Sequence, residues 1–532
     1  MKKRFLLLLI AAALFLCSCD GKLNLPHMEQ SKNPYPIESD VVLTYFMPRP
    51  NAITAKVLSM NDTPFKQELE KQTGIKVNFI HAPTNMEEQF VSLMIASNDL
   101  TDIVEYSWSY FIGENSRNAG ADMVVASLDE EMERYSPSFH AYLNHNPDVK
   151  KSLAADDGSI YVYPFIRQDE VLKTYRGCMV RADVMENLGL AFPETIEEWD
   201  RTLRELKDAG FDTPIFYTLN SESMETMNLF VGAFGIGGDF YLDGNVVKYG
   251  PYEEPFGEFV RMMALWYKDG LLGDDISGLN ASSLNDFMLQ GRSAIAYGTV
   301  GGTFGMLLPL MNEKGSGFRL APLKYPAVKK GMTPEFGHRE NKLGGYGAMI
   351  SANSMNKALA MRLLDYAYSA EGHKLYNFGI EGVSYTMQEG KPVYTDDILE
   401  AERLHGMTIQ QAMAQYLRAY TPGPFVQDKQ YLMQYYTMPE QKQALEVWSD
   451  TNMSAHSYPS VMCDESDAKE FNEIMGDVKK YQYEMVYKLI TGEETMENLA
   501  EYFDMLKKLR IEDAIQIKQR VYDEYTKNNE RR

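Results

Sequence analysis

The sequence predicts an α/β protein, because short apolar strands alternate along it with amphipathic helices. An apolar run at residues 41–46 has the length and continuity of a strand that is buried on both faces. A helix, an alternating strand at 75–79, a second helix near 86–96 and a strand that opens at residue 103 follow in that order. Alternation at this spacing is typical of a layer of parallel strands that helices cover.

The first helix has clear signals at both ends. Thr63 followed by Pro64 fits an N-cap with proline at the first helical position. Phe65 and Leu69 fall on one helix face, and Gly74 suits the left-handed residue that follows a helix. These signals predict a helix from residue 64 to the residue before Gly74.

A second set of strands and helices is predicted further along the chain. A strand or hairpin is indicated at 158–164, and a strand at 177–180 leads into a helix at 182–188. Thr195 and Glu198 form a capping box that opens the next helix. Strand and helix therefore alternate in this part as well.

The remainder of the chain is predicted to be mostly helical. Helical periodicity dominates residues 255–292, a strand is indicated at 294–297, and the C-terminal third is helical again. A capping box of Thr491 and Glu494 predicts the start of the last helical segment.

The composition is that of a globular, strongly acidic chain. Its 532 residues contain 52 lysines and arginines against 75 aspartates and glutamates, which gives a formal net charge of −23 at pH 7. Hydrophobic residues make up 45%, so the chain can bury cores, and its length suggests two to four domains or lobes. Because a polyanion would be repelled and no basic run is present, the sequence argues against a nucleic-acid partner.

The N-terminus has the features of an export signal. Basic residues at positions 2–4 precede an unbroken apolar run at 5–16, which is too short for a permanent membrane helix. The sequence Leu-Cys-Ser-Cys at 16–19 resembles a bacterial lipobox, which implies cleavage before Cys19 and attachment of a lipid to it. The alternative is an ordinary secretory signal that happens to precede a cysteine.

This resemblance divides the N-terminal region into a signal peptide at 1–18 and a lipid-tethered linker at 19–40, which is polar and contains three prolines. Removal of the three basic residues would change the formal charge from −23 to −26. We expect a body at the extracytoplasmic face of the cell membrane, held there by its N-terminal lipid. That face is periplasmic if an outer membrane is present.

Motifs for catalysis and metal binding are missing from the sequence. It has no nucleophile elbow, no Walker-type phosphate loop and no complete dinucleotide-binding glycine motif. His140 and His145 have the wrong spacing for a metal pair on one helix face, and Cys178 and Cys463 lack zinc-site spacing, although one disulfide is possible. We predict no catalytic residue, no metal and no cofactor, with only a glycosidase-like pair of carboxylates left open.

Five segments carry motifs that occur together in one family. They are TGIKV at 73–77, LMIASNDLTDI at 93–103, the stretch from RAD at 181–183 to EW at 198–199, FMLQGRSA at 287–294, and DYAYSAEG at 365–372 with NFGIEG at 377–382. In this order they resemble the bacterial extracellular solute-binding lipoproteins of carbohydrate ABC importers, in the large oligosaccharide-binding branch. Asn98 and Thr101 depart from the usual glycine and proline of the second motif.

The resemblance implies a type II periplasmic-binding-protein fold, with two α/β lobes joined by crossing hinge segments and a helical C-terminal region. The N-terminal lobe would comprise residues 41–165 plus about 340–400, and the C-terminal lobe about 166–339 plus 401–532. It also implies a monomeric binder and not an enzyme. This binder would capture a carbohydrate, expected to be an oligosaccharide, and deliver it to the transmembrane subunits of an ABC permease.

One departure from the family concerns calcium. Many relatives carry an oxygen-rich calcium loop after the helix that the capping box at 195–198 opens. Here residues 207–214, KDAGFDTP, stand in that place and offer too few oxygen ligands. We therefore predict no calcium at this loop.

Aromatic side chains beyond strand ends are the predicted ligand contacts. Sugars present C–H faces that stack on aromatic rings and hydroxyls that need hydrogen-bond partners, and the chain has 34 tyrosines. In α/β lobes, ligands bind beyond the carboxyl ends of the strands. The residues predicted to contact the ligand are Trp108, Tyr110, Tyr163, Arg181, Phe234, Tyr297 and Tyr346.

Each of these residues has a second interpretation. Any of the aromatic side chains could instead be buried in a core or lie at a rim. Arg181 could bind a hydroxyl or a uronate, or it could pair with Asp183 or another carboxylate. Trp199 and Trp266 fall at apolar spacing on helices and are predicted to be core residues.

Two other functions stay open at this point. A surface hydrolase or lyase that degrades polysaccharides would show turnover. A binder of peptides or polyamines could use the same fold, because a fold does not determine its ligand. A carboxylate-rich cleft would favour a polycation, so the charge of the cleft discriminates between these ligands.

Overall fold

The computed structural model describes residues 34–49, 59–83, 85–112, 124–155, 158–219, 229–273, 276–277, 281–313, 317–461 and 465–530. The predicted signal peptide at 1–18, the lipidation site Cys19 and most of the linker at 19–40 lie outside these residues, as does Cys463. Cys178 is buried, and the disulfide that the sequence allows stays a prediction.

The strands are short and are distributed along most of the described chain. They are β1 (Val42–Phe46), β2 (Lys76–Ile80), β3 (Ile103–Ser107), β4 (Tyr163–Arg167), β5 (Arg176–Arg181), β6 (Ile215–Phe216), β7 (Phe240–Asp243), β8 (Val246–Tyr249), β9 (Ile295–Thr299), β10 (Leu320–Leu323), β11 (Leu343–Ile350), β12 (Tyr385–Gln388), β13 (Lys391–Tyr394) and β14 (Val426–Gln427).

Helices occupy most of the remaining residues. They are α1 (Pro64–Thr73), α2 (Glu87–Ser97), α3 (Ser109–Ile112), α4 (Asp129–Tyr135), α5 (Pro137–His145), α6 (Pro147–Leu153), α7 (Ala182–Leu188), α8 (Ile196–Asp208), α9 (Pro255–Lys268), α10 (Ala281–Leu289), α11 (Gly305–Glu313), α12 (Lys357–Tyr366), α13 (Ala370–Phe378), α14 (Asp396–Leu399), α15 (Ala401–His405), α16 (Ile409–Tyr416), α17 (Lys429–Tyr435), α18 (Pro439–Ser449), α19 (Met453–His456), α20 (Glu465–Thr491), α21 (Leu499–Lys508) and α22 (Ile511–Glu530). None of the described helices combines the length and the apolar character that a membrane span needs.

Two mixed sheets form the centre of the fold. The larger has the order β14-β4-β11-β3-β1-β2, in which β1 is parallel to β2 and β3 while β11 is antiparallel to both β3 and β4. The smaller has the order β10-β5-β9-β6, and β5 is antiparallel to both of its neighbours. The alternation of strands and helices is as predicted, but the strands are not all parallel.

Each sheet has its own hydrophobic core. The first core contains apolar side chains of β1 to β4, β11 and α12. The second contains those of β5, β9 and β10 together with α8, α9, α18 and the C-terminal helices. Trp199 and Trp266 are both buried in the second core, as predicted from their helical spacing.

Two connecting segments pass between the sheets. Residues 168–175 join β4 to β5, and residues 324–342 join β10 to β11. The two segments lie side by side, because the Glu340 N–H donates to the Lys173 carbonyl oxygen at 2.8 Å. In the middle of the chain, the two cores are therefore linked by these two segments, which are hydrogen-bonded to each other.

The later part of the chain changes core three times, the last time after β14, where α17 and α18 pack in the second core. Side chains between residues 378 and 413 pack in the second core, although the sequence analysis extends the N-terminal lobe to about residue 400. The strand β14 then returns to the first sheet, where it pairs with β4. The division into two lobes stays a prediction, and the change of core falls near residue 377.

The end of the predicted linker lies against the first core. Tyr35 and Ile37 pack against its apolar side chains. The Ile37 N–H donates to the Thr73 carbonyl oxygen at 2.7 Å, at the end of α1. Residues 34–37 are thus part of the folded body, although the sequence analysis assigns everything up to residue 40 to the linker.

The first helix has the ends that its sequence predicts. The Thr63 hydroxyl oxygen accepts the Lys66 N–H at 3.2 Å, and Pro64 is the first residue of α1. Gly74 follows the helix with φ of 72°, a left-handed conformation that glycine adopts without strain. Local signals were sufficient here, because the residues that cap the two ends of α1 are adjacent to it in the sequence.

The predicted capping box at the C-terminus is wrong. Thr491 is the last residue of α20, and its hydroxyl donates to the Tyr487 carbonyl oxygen at 3.0 Å. The next helix, α21, begins only at Leu499. A threonine hydroxyl at the end of a helix can donate to a carbonyl oxygen of that same helix, or it can cap the helix that follows. The spacing of Thr491 and Glu494 is compatible with both roles, so it did not determine which one occurs.

A buried ion pair joins the returning segment to the first sheet. The Arg418 guanidinium donates to Glu105 of β3 at 2.7 Å, and both side chains are almost completely buried. The Tyr45 hydroxyl of β1 donates to the second carboxylate oxygen of Glu105, also at 2.7 Å. The Arg418 N–H donates to the Tyr376 carbonyl oxygen at 2.8 Å, so this one residue ties three parts of the chain together.

We expect that removal of either partner destabilises the protein by ~3–5 kcal/mol, because the remaining charge stays buried without its counter-ion. Arg418→Met and Glu105→Gln test this in urea unfolding. The double variant should lose less than the sum of the two single losses, since it leaves no isolated charge. A cost below about 1 kcal/mol for both single variants would show that the pair does not hold the segment.

Candidate ligand-binding cleft

Two adjoining cavities lie where the two cores meet. The larger has a volume of about 570 Å³ and the smaller about 260 Å³, and the larger falls within the range of roughly 300–1,000 Å³ that is usual for small-ligand sites. They share the lining residues Asp239, Phe240, Arg339, Glu340, Asn341 and Met453. We call the two cavities together the cleft.

Both cores contribute to the larger cavity. Trp108 and Leu343 line it from the side of the first core, and Phe240 and Phe471 line it from the side of the second. Tyr458, which is hydrogen-bonded to α22, lines it as well. The connecting segment supplies its residues 339–341. A ligand bound here would therefore contact both cores and the segment between them.

The first-core edge of the cleft is built from two antiparallel strands. Trp108 follows the carboxyl end of β3, and its N–H donates to the Gly345 carbonyl oxygen of β11 at 3.0 Å. The pairing of β11 with β4 shifts register between Leu343 and Gly347, and Gly345 has φ of 71°. This irregularity exposes the backbone of residues 344–345 to the cavity, as bulges next to binding sites often do.

The second-core edge consists of residues that are far apart in sequence. Phe240 opens β7, Phe471 belongs to α20, and Tyr458 follows α19. The Tyr458 hydroxyl donates to the Lys518 carbonyl oxygen of α22 at 2.9 Å. The Ser460 hydroxyl donates to the Leu343 carbonyl oxygen at 3.2 Å, so this loop also contacts the first-core edge.

Glu340 is held as an anion between the connecting segments. The Tyr175 hydroxyl donates to its carboxylate at 2.7 Å, and the Arg167 guanidinium and His338 imidazole lie 3.6 Å and 3.7 Å from it. Burial alone would raise the pKa of Glu340, but His338, the charge of Arg167 and the Tyr175 hydrogen bond together lower it to about 2. This carboxylate is therefore ionised at physiological pH.

A cluster of aromatic rings surrounds one lysine of the larger cavity. The Lys518 ammonium lies 4.6 Å from the ring centre of Phe471, 4.8 Å from that of Tyr458 and 5.9 Å from that of Phe240. All four residues line the cavity. Ring faces attract cations at such distances, so the rings stabilise this ammonium group as a charged species.

Two of the predicted ligand contacts line the cleft. Trp108 lines the larger cavity and Tyr297 of β9 the smaller one. Tyr346 is half-buried in β11, next to the exposed backbone of Gly345, and its ring centre lies 6.5 Å from that of Tyr106. Tyr110 is exposed and packs edge-on against the same Tyr106 ring at 5.2 Å. Tyr110 lies in α3 and Tyr346 within β11, and neither of them lines the two cavities.

Tyr163 and Arg181 lie at the ends of their strands that are away from the cleft. Tyr163 begins β4 instead of ending a strand, and its buried ring packs on Phe139 at 4.8 Å in the first core. Arg181 ends β5, and its guanidinium forms two hydrogen bonds with Asp183, at 2.9 Å and 2.6 Å. Because β5 runs antiparallel to β9, its carboxyl end is the end far from Tyr297 and the cleft.

Phe234 also lies outside both cavities. It ends a short 3₁₀ segment, Val231–Phe234, and is half-buried against the Phe259 ring of α9 at 6.1 Å. The glycines that follow it, Gly237 and Gly238, do line the smaller cavity. The chain here approaches the smaller cavity through these glycines, while the Phe234 ring packs inward.

The sequence analysis missed most of the second-core edge. Phe240, Tyr458, Phe471 and Lys518 stand in a hairpin, a loop and two helices, and no motif marks them. The three aromatic residues share only the chain's enrichment in aromatic side chains, which does not distinguish them from the aromatic residues of the cores, and Lys518 has no sequence signal.

Comparison with known proteins agrees with this architecture. A family model described as bacterial extracellular solute-binding protein matches residues 61–374, which is more than half of the chain. The chain belongs to this family. The predicted family resemblance is thereby confirmed, and the cleft has the position that a solute site would have in such a protein, between two cores.

One relative of this solute-binding protein extends over almost its whole length, and a second extends over about three fifths of it. It is 21% identical over 549 residues to the fructooligosaccharide ABC transporter substrate-binding protein FusA of Streptococcus pneumoniae, with 99% of this chain and 98% of FusA covered. It is 22% identical over 352 residues to lipoprotein LipO of Bacillus subtilis, which covers 62% of this chain and 65% of LipO.

Solved structures show the same fold. The alginate-binding protein AlgQ2 superposes with a TM-score of 0.73 at 24% identity, covering 91% of this chain and 98% of AlgQ2. FusA in complex with kestose superposes with a TM-score of 0.72 at 20% identity, covering 92% of this chain and all of FusA. The predicted fold class, an α/β periplasmic-binding-protein fold, is confirmed.

The loop that replaces the family's calcium loop is closed by a lysine. The Lys207 ammonium donates to the carbonyl oxygens of Asp212 at 2.8 Å and Gly270 at 3.1 Å. Among the residues that the structure describes, no group of three or more acidic, histidine or cysteine side chains could hold a metal ion. The donor set of this loop does not fit calcium, because a side-chain cation already holds the backbone oxygens that face it.

We therefore expect that calcium has no effect on this solute-binding protein. The thermal unfolding midpoint should be the same in excess EDTA and in millimolar Ca²⁺, because the part of the chain that the structure describes offers the ion no oxygen-rich site. Lys207→Met should lower that midpoint slightly in both solutions, while the exposed Lys329→Met should leave it unchanged. A rise of several degrees on addition of Ca²⁺, or one tightly held calcium ion in the purified protein, would contradict this prediction.

Proposed function

We propose that this solute-binding protein captures an oligosaccharide in its cleft and delivers it to the transmembrane subunits of an ABC permease. The observation that supports this most directly is the lining of the larger cavity, which has the aromatic rings of Trp108, Phe240, Tyr458 and Phe471 beside charged and amide side chains. Rings of this kind stack on the C–H faces of sugars, and the polar groups accept or donate hydrogen bonds to hydroxyls. FusA, a relative named for fructooligosaccharides, has the same fold.

Closure of the two cores over the ligand is the proposed mechanism. A ligand in the cleft would bind residues of both cores, so it would favour the arrangement in which the cores are close together. The paired segments at 168–175 and 324–342 would form the hinge together with the crossings near residue 377 and on either side of β14, because each of these segments passes between the two cores. The permease would then recognise the closed arrangement.

The charges of the cleft argue against the two alternative functions. A polycation would need an excess of carboxylates, but Asp239 lies 3.6 Å from Lys479, and Glu340 lies 3.6 Å from Arg167. A glycosidase needs one protonated carboxylic acid, whereas the pKa of Glu340 is lowered to about 2. We therefore propose binding without turnover.

Binding should be measurable by isothermal titration with a panel of tri- to pentasaccharides. At least one should bind with a Kd in the micromolar range or below, and Trp108→Ala and Tyr458→Ala should each weaken it by about tenfold, which corresponds to ~1.4 kcal/mol of lost stacking. Phe192→Ala is the matched control, because Phe192 is exposed and lies outside both cavities.

Binding of peptides or polyamines with no response to any oligosaccharide would contradict the proposal. So would release of shorter products when the protein is incubated with polysaccharides. The melting temperature of each variant shows whether a loss of binding reflects the cleft or a loss of folding.

We further propose that the protein is a monomer that a lipid on Cys19 anchors at the extracytoplasmic face of the membrane. The lipobox-like sequence at 16–19 and the likeness to lipoprotein LipO support the lipid anchor. In cells, Cys19→Ser should move the protein from the membrane fraction to the soluble fraction, with Cys17→Ser as the control that stays on the membrane. Equal membrane retention of both variants would rule out the anchor.

A further inference from the structure

A direct contact joins the two cores at the rim of the larger cavity. The Lys151 ammonium of α6 donates to the Tyr525 carbonyl oxygen of α22 and lies 4.1 Å from the centre of the Tyr525 ring. The Tyr525 hydroxyl also forms a hydrogen bond with the Ser152 side chain of α6. One tyrosine of α22 therefore makes three contacts with two consecutive residues of α6.

The two helices belong to different cores. Val149 and Leu153 of α6 are buried in the first core. Ala514 and Ile517 of α22 are buried in the second core. A contact between α6 and α22 therefore joins the folded bodies of the two cores, in addition to the chain segments that pass between them.

Each helix is fixed within its own part of the molecule. The Val247 N–H of β8 donates to the side-chain oxygen of Gln519 in α22 at 2.7 Å. On the other side, the Lys342 ammonium next to β11 donates to Asp148 of α6 at 2.8 Å. Because neither helix is loose on its own core, the contact between them depends on how close the two cores are to each other.

The contact lies beside the cleft and not within it. Ser152 and Lys518 both line the larger cavity, one from α6 and the other from α22. Tyr525 follows Lys518 by about two helical turns and lines neither cavity. It is therefore placed to hold the two walls of the cavity together without touching a bound sugar.

We propose that Tyr525, with Lys151 and Ser152, is a latch that stabilises the closed arrangement of the cores and thereby raises the affinity for the oligosaccharide. This inference rests on the proposed function, because it specifies how closure is stabilised. The contact is made only when the cores are close together, so its free energy adds to that of the ligand's own contacts with both cores. Without it, the closed fraction and the apparent affinity fall together. Tyr525 is thus a positioning residue.

The chemistry of the contact suits repeated opening. Lys151 and Tyr525 are only half-buried, so water can take over their interactions when the cores separate. An ammonium group on a ring face at such a site contributes less than one that is fully desolvated. The latch would therefore slow the release of a sugar without preventing its transfer to the permease.

The test removes the latch from either side and compares each variant with a matched control. Lys151→Met is paired with Lys150→Met, since Lys150 is an exposed lysine of the same helix. Tyr525→Ala is paired with Tyr483→Ala, since Tyr483 packs on Tyr487 at 6.3 Å within α20. Both control residues lie outside the two cavities. The probes are kestose, nystose, maltotriose and maltopentaose from the panel above, by calorimetry and stopped-flow kinetics.

We expect Tyr525→Ala and Lys151→Met each to weaken binding of the tightest of these sugars by about fivefold, mainly through faster dissociation. The double variant should bind within about twofold of Tyr525→Ala, because both replacements remove the same contact. Lys151→Arg should restore the affinity, since a guanidinium can also donate to the carbonyl oxygen and lie on the ring. The two control variants should bind as the wild type does.

Unchanged affinity in both latch variants, or losses that multiply in the double variant, would overturn this inference and leave the proposed function intact. Thermal unfolding shows whether each variant is folded. If Tyr525→Ala does not fold, the comparison of Lys151→Met with Lys150→Met and Lys151→Arg decides. Failure of every sugar of the panel to bind the wild-type protein would instead overturn the proposed function, and the inference with it.

Discussion

The ion pair between Glu105 and Arg418 is the interaction on which the arrangement of the first core depends. Arg418 stands where the chain returns from the second core, and Glu105 lies in β3, three residues before Trp108. Two charges without water are stable only when they satisfy each other, so their burial fixes the returning segment against β1 and β3. The position of the cleft-lining tryptophan thus follows from a contact that is itself buried away from the cleft.

Different side chains of the cleft fix its geometry and provide its surface for a ligand. Paired charges on the connecting segments, above all Glu340 with Arg167 and Tyr175, fix the geometry where the cores meet. Aromatic rings on the two edges supply the surface for a ligand. A charged network suits the connection because its bonds are directional, whereas ring faces suit a ligand because they tolerate small displacements.

The sequence predicted the fold class and single elements well where the deciding signals were local. The caps of α1 are an example, because Thr63, Pro64 and Gly74 all act within one helix. It predicted the cleft only in part. Trp108 and Tyr297, which were expected beyond strand ends, line the two cavities, whereas Arg181 lies at the far end of β5, because β5 is antiparallel and nothing in its own residues shows this. Their contact with a ligand stays a prediction. Lys518 and Phe240 are 278 residues apart, and only the tertiary fold brings them together.

The packing of Tyr35 and Ile37 on the first core determines which part of the folded body would lie nearest to a lipid anchor. With Cys19 as the lipid attachment point, residues 20–33 would lie between the lipid and the folded body, and a segment of this length can span at most about 50 Å. This linker would join the folded body at the first core. The first core would therefore stay near the lipid anchor, while the second core could move relative to it about the connecting segments. The length of the linker would limit how far the protein could move from its anchor, and the first core would always be the part nearest to it.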